Sequence, residues 1–428
     1  MMTTKRTAIR RRLAVGRAPN RPPWRGRKRG HEAIVAPLAA TLAATAAVGL
    51  GVVLARAGRD RRAARAQLAH VRQFAMLPGE GLATGLERIG LGQLDLAIEM
   101  LATEDGQTLS ESAVHEARKA LKRLRALIRL LEDELGGQVF ARENAVLREA
   151  GRRLSAARDA EVTVATLEDL MRRHPGELAH RRGVVRLHTA LRAERERVVQ
   201  QSLADGSTAA DALDELRGVR RRAMAWSLSD RPGIEAVEPA FKRLYGRGRR
   251  RYRRAARGSG SRTLALHAWR NRVKELRYAA EMLDHGDPDD RAGARTSWTP
   301  HGFTPGGAGG KLVGRGRGSG RKRARKQARR RREARYIRRV AGRADELGEL
   351  LGAEHDLAVL AARMRSQTDA AGNHVAGRGT RRVLLRLIAK RRRRLRKQAL
   401  REGKRLYRRG PKRFAARVRR ASAAASRG

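Results

Sequence analysis

A histidine followed at +3 by arginine, at +7 by lysine and at +10 by arginine occurs twice in this sequence. The first set is His115, Arg118, Lys122 and Arg125; the second is His267, Arg270, Lys274 and Arg277. Guanidinium groups fork onto paired anionic oxygens, and ammonium groups act as point charges. A row of both suits a partner with closely spaced negative charge. A histidine at its head can donate a hydrogen bond to such an oxygen, and it gains charge as pH falls or as an anion approaches. The bland alternative is a solvated charged face, or a histidine satisfied by a neighbouring helix. Two features weigh against the solvated face. The same types recur at the same spacings 152 residues apart. No acid interrupts either row, although Glu/Lys pairs are the usual support of a solvated helix. Lys119 and Arg129 flank the first row and are assigned secondary or structural roles.

Such rows need helices to hold them. At about 100° per residue the four positions fall within an arc of roughly 80° on one face. The apolar positions repeat as well: Val114/Leu266, Ala117/Trp269, Leu121/Val273, Leu124/Leu276, Ile128/Ala280 and Leu131/Leu283. They form a second stripe centred roughly 110° from the first, at the period of an amphipathic helix. A further element is duplicated in the same order. GRRLSAARDAEV aligns with GELLGAEHDLAV, pairing Gly151 with Gly348, Leu154 with Leu351, Asp159 with Asp356 and Val162 with Val359. Arg158 precedes the first Asp and His355 the second, and all four are assigned secondary or structural roles. The Asp positions are 197 residues apart, so the second unit holds about 45 extra residues between its row and its Asp segment.

The composition locates that excess and bounds the partner. The chain has 428 residues, 98 Lys+Arg against 43 Asp+Glu, and a formal charge of +55. Charge of that size opposes compaction unless a polyanion or counterions neutralise it, so nucleic acid, anionic membrane and inorganic polyphosphate all qualify as partners. Aromatics at 3% count against readers that stack on single-stranded bases. The absence of Cys excludes disulfides, thiol catalysis and Cys-based zinc sites.

Residues 1–30 read as a disordered basic arm, and 31–72 as an apolar segment followed by a basic linker. Within the latter, Ala33–Ala55 carries no charge for 23 residues and is read as a membrane-spanning or membrane-associated helix. The competing reading is a buried or unstructured Ala-rich segment. A Gly- and Pro-rich basic insert occupies 285–332, and Ala416–Gly428 reads as a frayed tail. Sustained two-residue alternation is absent, so the folded part, 73–415, is expected to be all-α. Two pseudosymmetric units, about 80–230 and about 235–415, would each form a bundle of about four helices.

With both rows and both Asp segments in place, the chain resembles the CHAD family, conserved-histidine α-helical domains of two bundles related by internal pseudosymmetry. The resemblance runs roughly from Gly79 to Phe414. It implies non-catalytic binding of inorganic polyphosphate by basic side chains facing a shared central cleft, often at polyphosphate granules in the cytoplasm. The binding residues would be His115, Arg118, Lys122, Arg125, His267, Arg270, Lys274 and Arg277. This chain departs from the family in its long insert, in His355-Asp356 where the first unit has Arg158-Asp159, and in its apolar amino-terminal segment.

Catalytic readings find less support. Asp159 and Asp356 are read as orienting a cation of the row or bonding a backbone amide, rather than as metal ligands, because no dense carboxylate cluster accompanies them. An enzyme cleaving phosphate chains would need alternating carboxylates. Glu194/Glu196 is the nearest match, with Val198 where a Lys is expected. No Gly-rich phosphate loop ends in Lys-Ser or Lys-Thr. Neither cofactor nor metal is expected. A nucleic-acid-binding basic protein is the alternative reading, and a phosphate-chain enzyme the third.

Overall fold

The computed structural model describes residues 74–77, 79–102, 110–204, 206–226, 228, 233–258, 261–284, 335–366 and 374–425. The basic arm, the apolar segment 33–55 and the insert 285–332 lie outside these residues. Among those described there are thirteen α-helices, one 3-10 turn and no strand, so the all-α expectation is met. None of these helices is long and apolar enough to cross a membrane.

The first half holds α1 (Leu82–Leu101), α2 (Glu111–Leu130), the single turn α3 (Glu132–Leu135), α4 (Gly137–Arg153), α5 (Ala156–Arg173), the turn α6 (Pro175–Leu178), α7 (Arg182–Ala204) and α8 (Gly206–Ala223). The second holds α9 (Glu238–Arg257), α10 (Arg262–Met282), α11 (Tyr336–Ser366), α12 (Arg378–Leu406) and α13 (Pro411–Ala425). The rows ride on α2 and α10. Ser110 caps α2 by accepting from the Ala113 amide at 3.1 Å, with Glu111 in the first turn and Arg129 in the last, each matched to its end of the helix dipole. Gly136, at φ 76°, turns the chain into α4.

Burial follows the apolar stripe. Ala117, Leu121, Leu124, Ile128 and Leu131 are buried in the first copy, and Leu266, Trp269, Val273, Leu276, Ala280 and Leu283 in the second. Equivalent residues also meet equivalent partners. A Cβ on Gly151 would lie 3.9 Å from Leu121, and one on Gly348 would lie 3.9 Å from Val273. The order of neighbours is shared: α1 lies on α2, α2 on α4, and α8 on both α1 and α4. In the second half α9 lies on α10, α10 on α11, and α13 on both α9 and α11. Helices α2 and α10 contact each other and join the halves.

The apolar interior is organised differently from the two bundles expected. One cluster joins α1, α2, α4 and α8 around Leu94, Leu121, Leu147 and Leu216. A second joins α9, α10, α13 and the first part of α11 around Phe241, Trp269, Leu347 and Phe414, and it draws in Leu127 and Leu130 of α2. The third is mixed: Leu167 and Leu187 of α5 and α7 pack with Leu360, Met364 and Leu384 of α11 and α12. Helix α12 therefore does not simply close the second unit, because its first half is buried against the first half of the chain. The frayed tail is also corrected. Helix α13 runs through Ala425, and Phe414, Val418 and Ala421 recur at helical spacing and are buried.

Trp269 occupies the position filled by Ala117 in the first copy, and the bulk is accommodated by a missing side chain on α12. A Cβ on Gly403 would stand 2.5 Å from the Trp269 ring and 2.7 Å from Tyr252. Gly403→Ala is therefore expected to destabilise the fold by about 1–3 kcal/mol, although alanine favours an open helix. Thermal denaturation against wild type measures it; an equal or higher melting temperature would show that the ring has room to move.

Candidate anion-binding site

Arg118, Lys122 and Arg125 of the first row line an open cleft between α2 and α4. The cleft has a volume of about 260 Å³ and is walled by Arg118, Lys122, Arg125, Arg148 and Arg152, with Leu121, Leu147 and Gly151 at its base. Five of its lining residues are cations and none is an acid. His115 and Lys122 are exposed, whereas Arg118 and Arg125 are half-buried. Burial first, then the adjacent Arg129 guanidinium, lower the pKa of Arg125 from its usual range. Arg125 Nε donates to Asn144 Oδ1 at 3.3 Å, which fixes its direction. Arg152 donates to Glu149 on its own helix at 3.0 Å.

The second row lies against α11 instead, and acids share its surroundings. Applying the 197-residue offset of the Asp segments, Asp345 stands where the first half has Arg148, and Glu349 where it has Arg152. Arg277 is paired with Asp345 and donates to Glu281 at 2.6 Å. Burial opposes its charge, but Glu281 and then Asp345 outweigh it and raise its pKa. Lys274 is half-buried. Burial, followed by the Arg270 charge, pushes its pKa down to about 8, despite Glu349 and Asp356 pulling the other way.

Arg118 and Arg270 hold the same place in their rows and show why the halves differ. Arg118 Nη1 donates to the carbonyls of Leu154 and Ser155, at 2.8 and 2.9 Å, where α4 ends and α5 begins. That break leaves helix-end carbonyls in need of donors. The matching stretch of α11, Leu351-Gly352, is continuous helix, so its carbonyls are already engaged. Arg270 instead lies beside Gly352, 3.5 Å from where a Cβ would be, and its Nε is buried with no hydrogen-bond partner among the described residues.

The histidines separate in the same way. His267 is half-buried and its Nδ1 lies 3.3 Å from His355 Nδ1, while its Nε2 is 3.3 Å from Asn271. Burial, then Arg270 and Lys274, lower the pKa of His267. Burial, then Arg270, His267 and Lys274, push His355 down to about 4. His355, secondary in the sequence reading, is thus brought directly to the row.

The remaining candidates divide. Arg129 ties the two row helices together through Glu275 at 2.8 Å, with both side chains largely buried, so its role is structural. Lys119 pairs with Glu116 on its own helix at 3.2 Å. Asp159 is exposed in the first turn of α5, while Asp356 is half-buried beside Lys274. The Arg158 side chain lies outside the described residues. Glu194 is engaged by Arg363, bridging α7 to α11, and Glu196 is exposed. Among the described residues no three His, Asp or Glu side chains stand together as a metal site.

Two features escaped the sequence reading. Arg148 and Arg152 wall the first cleft; their four-residue spacing beside Gly151 was the available signal. Glu354, fully buried next to His355, accepts from Arg392 at 2.9 Å with Arg396 at 3.7 Å, and so anchors α11 to α12. Nothing in the sequence distinguished it from other acids of α11.

No curated protein matches the chain. Residues 92–294 match the family model of the CHAD domain, a stretch that contains both rows and ends before α11. Over those residues, just under half of the sequence, the chain carries a CHAD domain.

Proposed function

We propose that this protein binds inorganic polyphosphate without processing it, holding the chain in the α2–α4 cleft, with the second row as a further point of attachment. The observation that carries this reading is the cleft wall of five cations and no acid. A solvated surface of that composition would gain from interleaved carboxylates, and the α11 side of the second row has them. A phosphate chain offers anionic oxygens along its length and no bases to read, which suits arginine forks held in fixed directions by Asn144 and by the Leu154 and Ser155 carbonyls. Association with polyphosphate granules would follow from that ligand.

Nucleic acid is favoured by a different observation. The exposed face of α12 carries Arg382, Arg386, Lys390, Arg394, Lys397 and Arg401 in succession along the helix. That stripe offers a line of exposed positive charge, as expected for non-specific contact with a phosphate backbone.

Competition separates the two. Labelled long-chain polyphosphate is displaced by unlabelled polyphosphate, DNA or RNA at matched phosphate concentration and physiological salt. Polyphosphate should displace the label at markedly lower concentration than either nucleic acid. Equal displacement by all three would contradict the proposal.

A further inference from the structure

We propose that His267, His355, Arg270 and Lys274 form a second oxyanion site that takes up one phosphate group of the chain together with a proton. This rests on the polyphosphate reading and adds a proton coupling to it. The geometry is the starting point. Two imidazole rings meet Nδ1 to Nδ1 at 3.3 Å, with centroids 4.5 Å apart. One nitrogen must donate and the other accept, so the contact holds a single proton. A second proton would place two N–H groups face to face, an arrangement that only an acceptor between or beside them relieves.

Apart from the Asn271 amide, 3.3 Å from His267 Nε2, the described groups that act on the pair are cations. Arg270 presents a buried Nε with no partner among the described residues. Its guanidinium lies against Gly352 of α11. Lys274 follows one turn further along α10. The charged groups acting on the pair come from three helices. Arg270 and Lys274 act from α10; Asp356 and Glu349 of α11 act on Lys274; and Arg392 of α12 is itself held by Glu354. Burial first, and then these cations, disfavour a charge on either ring.

A phosphate oxygen entering this site accepts from Arg270 and from one imidazole N–H. Its negative charge raises the pKa of both rings and of Lys274, and a proton passes from solvent to an imidazole nitrogen. No bond of the phosphate chain is made or broken. Affinity at this site should therefore strengthen as pH falls through the histidine range. The wall of the first cleft is arginine and lysine, which keep their charge there, and His115 at the head of that row is removed separately as a control.

The test is calorimetry of long-chain polyphosphate binding at about pH 6, close to the free histidine range. It is run in two non-phosphate buffers of different ionisation enthalpy. Internal groups of a long chain are strong acids, and end groups bound by cations would release protons, the opposite sign. Uptake on the order of one proton per protein is expected; it should persist in His115→Gln and vanish when His267→Gln and His355→Gln are added to that variant. Binding with buffer-independent heat, or uptake persisting in the triple variant, would overturn the proton coupling while leaving polyphosphate binding in place. No binding at all would overturn both. Should the triple variant fail to fold, NMR titration of the wild-type His267 and His355 imidazoles decides instead. Both pKa values should rise on adding polyphosphate, and unchanged values would refute the site.

Discussion

Lys274→Met is expected to raise the melting temperature of the ligand-free protein and at the same time weaken polyphosphate binding. The Lys274 ammonium is half-buried beside Arg270, and its folded pKa of about 8 lies below the ordinary lysine value. A lowered lysine pKa means that the fold binds this proton less well than the unfolded chain does. Stability should therefore rise with pH between about 8 and the unfolded value, and the full penalty applies at neutral pH. That direction is the net of all neighbours, Glu349 and Asp356 included. Methionine keeps the stem packed and removes the charge, which should return about 1–3 kcal/mol after allowance for solvent screening. Polyphosphate affinity should fall on the order of tenfold with the loss of a partly desolvated cation. Thermal melts with and without ligand, at neutral pH and near pH 9, separate the two effects. A variant that melts lower than wild type without ligand would show that Lys274 is well accommodated.

The double variant Lys122→Ala, Arg148→Ala should have the larger effect on binding and little on the fold. Both side chains are exposed on the cleft wall, so each substitution should alter stability by less than about 0.5 kcal/mol. Arg118 is avoided because it also closes the carbonyls at the α4–α5 junction. Removing two charge-assisted hydrogen bonds to phosphate at once should weaken polyphosphate binding on the order of tenfold to a hundredfold. If DNA uses the α12 stripe, its affinity should barely respond. Direct titration of both ligands on both proteins makes the comparison. Equal losses for polyphosphate and DNA would mean that both share the cleft.

The row helices were legible because amphipathic spacing reports burial directly. Of the repeated apolar positions, only Val114 stays partly exposed. The inequality of the rows was less visible, because it depends on what faces them. Arg148 and Arg152 against Asp345 and Glu349 can be read off the sequence once the 197-residue offset is applied, but which helix face turns to the row is a matter of packing. The break at Leu154–Ser155, which gives Arg118 its carbonyls, lies in a run of good helix formers that reads as continuous. The mixed cluster of α5, α7, α11 and α12 has no local signature. It arises because α11 and α12 are long enough to reach past their own half. Helix α13 was hidden by its alanines and arginines, among which Phe414 and Val418 are the only large or medium apolar residues it buries.

The central claim is that fixed cations in these rows, rather than the diffuse charge of +55, hold polyphosphate. The slope of log affinity against log salt tests it most directly, measured for wild type and for the combined variant Lys122→Ala, Arg148→Ala, Lys274→Met. Each phosphate-bound cation displaces counterions, so removing three should make the slope shallower by about three. The variant keeps 95 of 98 Lys+Arg, so diffuse charge would leave the slope almost unchanged. A shallower slope with lower affinity is the expected result; an unchanged slope in a folded variant would contradict the account.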